Sequence, residues 1–373
     1  MDTIKKIKAL GLMSSSSLSG ISAAVITTDG VDIYDVGRSV YVPYDDDIRE
    51  RLQAVMGKKP ETPELEAEFK SLNERVTRAH AEVVEDVLGY IEMPVDVIGF
   101  HGHTVLHEPQ NRYTYQLGSG QLLADLTRTR VVNRFSNADL LAGGQGGPLV
   151  PVYHAALVND FEKPVAVVNI SGISSITWVG GNGELLAFDI GPGNAAVNDW
   201  VFHHAGQQMD YNGKLAITGT VHGKVLASLM RHRFLAKYPP KSMDRNLFND
   251  KLEHLEGLSL EDGAATVTAF VAEAIAYSMA MYLPQMPKKV IVSGGGAKNP
   301  TLLRFLRQRL EGVEVMVSGE LGWRPDTMEA QAYAFLAARR LYFLPNSFPS
   351  TTGVPEPVVG GEVYEPASPE NAG

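Results

Sequence analysis

The chain has 373 residues, past the size at which one hydrophobic core usually stops growing, so two lobes are the expectation. With 44% hydrophobic and 20% charged residues it reads as a soluble globular protein, and no run of about 18 apolar residues marks a membrane span. A net charge of -10 without a basic cluster argues against a nucleic-acid partner, and the absence of cysteine excludes disulfides and thiolate chemistry.

The first twelve residues carry three lysines beside too short an apolar run for a signal peptide, so a cytoplasmic protein is expected. Lys8 to Met13 then forms an apolar run, Ser14 to Ser17 a small-residue turn, and Ile21 to Thr27 a second run. After a turn at Thr28-Asp29-Gly30, Val31 to Val42 alternates with period two, which between turn residues is the signal of a strand. Thr62-Pro63 supplies an N-cap and a proline at the first helical position, and Leu65, Phe69, Leu72, Val76, Val83 and Val87 follow at helical spacing. Val95 to Phe100 reads as a buried strand ending at His101-Gly102.

The opening layout returns at Val165. Val165 to Ile170 is apolar, Ser171-Gly172 turns, Ile173 to Val179 alternates, and Glu184 to Ile190 follows a glycine-rich turn. Two antiparallel meanders at corresponding points suggest a duplicated fold. Glu261 to Tyr282 reads as a long alanine-rich helix, Val290 to Ser293 as a buried strand, and Met328 to Leu344 as a last helix. From Pro345 the proline- and glycine-rich tail is expected to be extended and partly loose. Strands interleaved with helices indicate an α/β protein.

Three glycine-bearing strand ends can carry chemistry. In Gly11 to Gly20, hydroxyls and backbone amides can hold phosphate oxygens, although serine-rich hairpin turns are mostly structural. In Phe188 to Asn194, Asp189 ends a strand ahead of a Gly-Pro-Gly turn into a helix, which suits a general base beside an anion site; an N-capping aspartate is the plainer reading. In Ser293 to Pro300, three glycines let a flat ligand lie against bare backbone, or let a helix pack tightly on a strand. His101, His103 and His107 do not complete a metal-ligand set, because strand spacing aligns only the first two and no acidic group joins them. No P-loop exists: the Gly-Lys pairs at Gly57, Gly213 and Gly223 are followed by Lys59, Leu215 and Val225.

Six ordered segments together resemble the anhydro-N-acetylmuramic acid kinase family, from Leu10 to about Gly361. They are Gly99 to Thr104, Ala142 to Pro151, Phe188 to Asn194, Pro240-Lys241-Ser242, Ser293 to Asn299 and Met328-Glu329-Ala330. The resemblance implies a two-lobed, actin-like (ribonuclease H-like) ATPase fold with duplicated mixed-sheet domains. One lobe would comprise 1–132 plus about 335–373 and the other 133–334, with the active cleft between them. It implies ATP-dependent hydrolytic opening and 6-phosphorylation of 1,6-anhydro-N-acetylmuramic acid in cell-wall recycling, with ATP and Mg2+ and a homodimer. Asp189 would be the catalytic base, and Thr104, Glu329 and His103 would contact the sugar. Ser14, Ser15, Ser16, Ser17, Ser19, Gly20, Ser171, Gly172, Gly191, Gly193 and Asn194 would form the nucleotide's phosphate side, with Gly294, Gly295, Gly296 and Asn299 on its adenosine side.

The chain departs from that pattern where ligands are expected. Ser15, Ser16 and Ser19 replace a usual glycine, threonine and aspartate, Ser171 a glycine and His103 a glutamine. Arg134-Phe135-Ser136 stands for an Asp-Phe-Arg stretch, and Ser119 for an Asp or Asn. A neutral hydroxyl at Ser19 cannot help hold a metal–phosphate cluster as a carboxylate does. These changes leave open a kinase for another anhydrosugar, or a non-catalytic relative that binds a sugar or partner.

Overall fold

The computed structural model describes residues 5–14, 18, 20–90, 94–248, 255 and 257–368. The chain forms two compact units, Met1–Leu157 with Asp326–Gly373, and Val158–Pro325. Segment 133–157, expected in the second lobe, therefore belongs to the first, as do residues 326–334. Local bonds explain both: Thr352 donates to the buried Asp139, and the Tyr153 hydroxyl donates to Gln331.

The first unit is built on β1 (Ile7–Ser14), β2 (Gly20–Thr28), β3 (Ile33–Pro43), β4 (Val97–Glu108), β5 (Tyr113–Leu117) and β6 (Val131–Asn133), with the chain's last strand β12 (Glu362–Tyr364). Their order is β3-β2-β1-β4-β6-β12, and β5 pairs back on β4. The β1–β2 and β2–β3 pairs are antiparallel, whereas β1–β4 and β4–β6 are parallel. Helices α1 (Asp46–Val55) and α2 (Pro63–Leu88) bury their apolar stripes on this sheet; Phe69, Leu72, Val76 and Val87 pack in one cluster with Leu10, Leu12, Ile98 and Phe100. Thr62 caps α2 by accepting from the Leu65 amide, and Pro63 opens it. Short helices α3 (Gly120–Thr127), α4 (Asn137–Leu141) and α5 (Pro151–Leu157) complete this stretch.

The second unit repeats the plan with β7 (Val165–Ile170), β8 (Ile173–Val179), β9 (Leu185–Pro192), β10 (Lys289–Ser293) and β11 (Glu314–Val317). Their order is β9-β8-β7-β10-β11, with the same sequence of antiparallel and parallel pairs as β3-β2-β1-β4-β6. The duplication inferred from the two meanders is a topological fact. Helices α6 (Asn194–Ala205), α7 (Gly223–Leu229), α8 (Leu260–Tyr282) and α9 (Pro300–Arg309) enclose its core. Helix α8 is long and apolar enough to cross a bilayer, yet 72% of its apolar window is buried inside the protein, as befits a core helix.

Two expectations change. Strand β4 runs on through His101 and Gly102 to Glu108, because the hairpin with β5 extends its pairing; Gly102, at φ 75°, takes up the local irregularity. The tail is not loose within the described residues. Asn346 and Ser347 pair with Val358, Thr351 and Thr352 are buried, and β12 adds a strand antiparallel to β6.

The last helix, α10 (Met328–Leu341), lies directly on the first sheet. A Cβ on Gly11 would overlap the Ala330 carbonyl oxygen, and one on Gly99 the Tyr333 carbonyl oxygen. Only bare backbone in β1 and β4 permits this approach, and Ala330, Ala334 and Ala337 fill the seam without exposure. Gly11→Ala and Gly99→Ala are each expected to lower unfolding free energy by about 3 kcal/mol or more, measured by urea denaturation. A loss under about 1 kcal/mol would show that the helix can ride outward.

Candidate active site

The expected site residues divide between the two units. Ser14, Gly20, His103, Thr104 and Glu329 lie in the first; Ser171, Gly172, Asp189, Gly191, Gly193, Asn194, Gly294, Gly295, Gly296 and Asn299 lie in the second. Ser15, Ser16, Ser17 and Ser19 fall outside the described residues.

In the first unit the β4–β5 hairpin pairs Thr104 with Gln116. The Gln116 side-chain amide donates to Thr104 Oγ1 at 3.1 Å and to His101 Nε2 at 2.9 Å. His101 Nδ1 meets the Gly102 carbonyl at 2.9 Å and must carry the proton there, so Nε2 is free to accept. Burial pushes this imidazole down to about 4, and it stays neutral. Because Thr104 Oγ1 already accepts, its own proton remains to donate to a ligand oxygen. His101 stacks on Tyr333 of α10 with centroids 4.5 Å apart, and Glu329 stands one turn earlier in the first turn of that helix. Thr104, Gln116, His101, Tyr333 and Glu329 thus form one polar and aromatic group.

His103 departs from this group. It is fully buried, and its Nδ1 meets Ser14 Oγ at 2.8 Å while Tyr44 donates to the same hydroxyl at 2.6 Å. Burial holds it neutral, down to about 3. Ser14 therefore spends its hydroxyl inside the core, and Gly20 is a glycine because a Cβ would overlap the Val42 carbonyl across the β2–β3 pair. His107 bonds Thr114 and the Gln145 carbonyl. Among the described residues no group of three His, Asp or Glu side chains could hold a metal ion.

In the second unit Asp189 sits near the end of β9, 5% exposed. Its Oδ2 accepts from the Met243 amide at 3.0 Å and its carboxylate from the Ser242 hydroxyl, while its own amide donates to the Lys241 carbonyl at 2.9 Å. Burial outweighs these bonds and raises its pKa to about 6. It does not cap α6. The Gly193, Asn194 and Ala195 amides donate to the Ser171 and Gly172 carbonyls of the β7–β8 turn, so the first amides of that helix are already satisfied within the protein. Gly191 faces Leu235, Ala274 and Phe248 in the core.

Of the three glycines after β10, Gly294 has φ 75° and lies against Asn169 and the Ile170 carbonyl, and Gly296 lies against the Ile170 side chain. Close packing on β7 therefore demands both. Gly295 is exposed and meets only the Asn194 side-chain nitrogen. Asn299 caps α9, its Oδ1 accepting from the Thr301 and Leu302 amides.

Sequence reasoning missed Gln116, Tyr333 and Met243, and it singled out Pro240-Lys241-Ser242 without joining Ser242 to Asp189. Hairpin register was the available signal for Gln116, since pairing across the β4–β5 turn sets it opposite Thr104. Nothing local could place residues 241–243 on Asp189.

Because the folded pKa of Asp189 is raised, its contribution to stability is complete below its unfolded value of 3.8 and is lost as pH rises through about 6. Asp189→Asn removes that loss. Its stability relative to the parent is expected to rise by up to about 3 kcal/mol between about pH 4 and about pH 8 in urea unfolding. A difference that ignores pH would return Asp189 to an ordinary carboxylate.

The family model described as anhydro-N-acetylmuramic acid kinase matches residues 7–366, from the start of β1 past the end of β12. An anhydro-N-acetylmuramic acid kinase of Paramagnetospirillum magneticum is 43% identical over 362 residues, covering 96% of this chain and 99% of the relative. Another, of Acidiphilium cryptum, is 45% identical over 359 residues, covering 96% and 98%. Among solved structures, (R)-2-hydroxyglutaryl-CoA dehydratase component A of Acidaminococcus fermentans aligns over 90% of this chain and 99% of its own, with TM-score 0.45 and 14% identity. With a match that spans both sheets and relatives alike along nearly their whole length, the chain belongs to the anhydro-N-acetylmuramic acid kinase family.

Proposed function

We propose that this protein uses ATP and water to convert 1,6-anhydro-N-acetylmuramic acid into N-acetylmuramic acid 6-phosphate in the cytoplasm. The observation that carries the reading is Asp189: a buried carboxylate at a strand end, held by the Met243 amide and the Ser242 hydroxyl, with its pKa raised to about 6. Such a group is ionised at neutral pH, yet basic enough to take a proton from water. Water oxygen bonds to the anomeric carbon as Asp189 accepts its proton, and the bond from that carbon to O6 breaks. The freed O6 then bonds to the γ-phosphorus, and the bond to ADP breaks.

Family membership and local geometry support roles for several other groups. Thr104, oriented by Gln116, donates to the sugar, and Glu329 accepts from it. Gly295 and Asn299 Nδ2 meet the adenosine side, with Ser171 and Gly172 toward the phosphates. Magnesium would arrive on the nucleotide, since the described residues offer no cluster of ligands for it.

The test is ADP release from ATP, Mg2+ and the anhydrosugar. Turnover is expected, and kcat/KM should fall about tenfold per pH unit below about 6, as Asp189 takes up a proton. Asp189→Asn should lose about 1000-fold or more in kcat. Absence of ADP release in the parent, or near-parent turnover in Asp189→Asn, would sink the assignment.

A further inference from the structure

Lys241 is fully buried. Its ammonium donates to the Phe234 and Leu235 carbonyls at 3.2 and 3.4 Å, and it lies 4.6, 4.9 and 5.6 Å from the ring centroids of Tyr282, Phe234 and Phe188. Tyr282 closes this box by donating to the same Leu235 carbonyl at 2.5 Å. Burying an ammonium is unfavourable unless it is paired or hydrogen-bonded, and a charge so enclosed acts strongly on any other buried charge near it. Asp189, the residue after Phe188, is tied through its backbone to the segment that carries this lysine. Its amide is bonded to the Lys241 carbonyl, and its carboxylate is held by the two residues that follow Lys241.

We propose that Lys241 is a positioning residue for the base: its enclosed ammonium supplies the positive field that keeps Asp189 ionised, and its anchorage fixes the segment whose Ser242 and Met243 hold that carboxylate. The inference rests on the reading of Asp189 as the base, though the electrostatic link itself is measurable without turnover. The surrounding titratable groups are Lys237, Tyr238 and Asp244 on the same connection, His232 beside Phe248, and Tyr277 and Tyr282 on α8. Lys237 and Asp244 are exposed, so solvent and salt screen them, whereas Lys241 is buried away from both. The two buried charges answer each other: burial lowers Lys241 to about 8 against the pull of Asp189, and burial raises Asp189 to about 6 against the pull of Lys241.

The experiment is a carbon-13 titration of aspartate carboxyl groups in the full chain, with the Asp189 signal assigned by its loss in Asp189→Asn. In the parent, that signal should inflect near pH 6 and again near pH 8, as Lys241 gives up its proton. In Lys241→Met the second inflection should vanish and the first move up by about one unit, about tenfold in proton affinity. The acid limb of kcat/KM should move with it, while KM for ATP stays within about twofold. Lys241→Gln, which keeps a donor for the carbonyls without the charge, should give the same shift and serves if the methionine variant does not fold. A single inflection in the parent, or an unmoved first inflection in a folded variant, overturns the proposal. If the parent shows both inflections but no turnover, the link between the two groups stands and the role of Asp189 as base falls.

Discussion

Bare backbone at Gly11 and Gly99 is the constraint on which the first unit depends. Two adjacent parallel strands present hydrogen where every other residue type would present carbon, so the carbonyls of α10 come down onto the sheet itself. Helix and sheet then share one rigid seam of alanines, and the helix cannot slide or rotate without driving backbone into backbone. That seam decides where the first turn of α10 points. Glu329 and Tyr333 owe their positions to it, and so does His101, whose ring stacks on Tyr333. Segments far apart along the chain, joined at two glycines, thus bring Glu329, Tyr333 and His101 together.

Polar groups inside this protein have been handled in two ways. In the first unit, buried histidines are kept neutral and held in place by their neighbours: Gly102 and Gln116, which also fix the tautomer, for His101, and Ser14 for His103. Such groups orient hydroxyls and stacks without adding charge. The second unit instead buries opposite charges at Asp189 and Lys241 without joining them in a direct ion pair; each is solvated by its own protein dipoles. A carboxylate so held is neither quenched by a contact cation nor relaxed by bulk water, the condition under which a weak acid can act as a base near neutral pH.

Glycine motifs deserve the same distinction between use and appearance. Gly294 and Gly296 satisfy close packing on Asn169 and Ile170, and Gly193 does the same for the β7–β8 turn. That turn in turn occupies the amides which the Gly-Pro-Gly pattern suggested for an anion. Gly295, exposed and close only to the Asn194 side chain, is the one of the three that such packing does not explain.

By itself the sequence determined the two meanders, the capped helix at Thr62, and the buried strands before His101 and after Lys289, because each is written in local period, turn chemistry or a short motif. Only the tertiary structure decided that the tail is bound to the first unit through Asp139 and β6, that His103 turns inward to Ser14, that the first amides of α6 are taken, and that the Lys241 segment pairs with Asp189. The reason is physical. Period and propensity act over a few residues, whereas burial, tautomer and field at a buried group are set by whichever distant segments close around it.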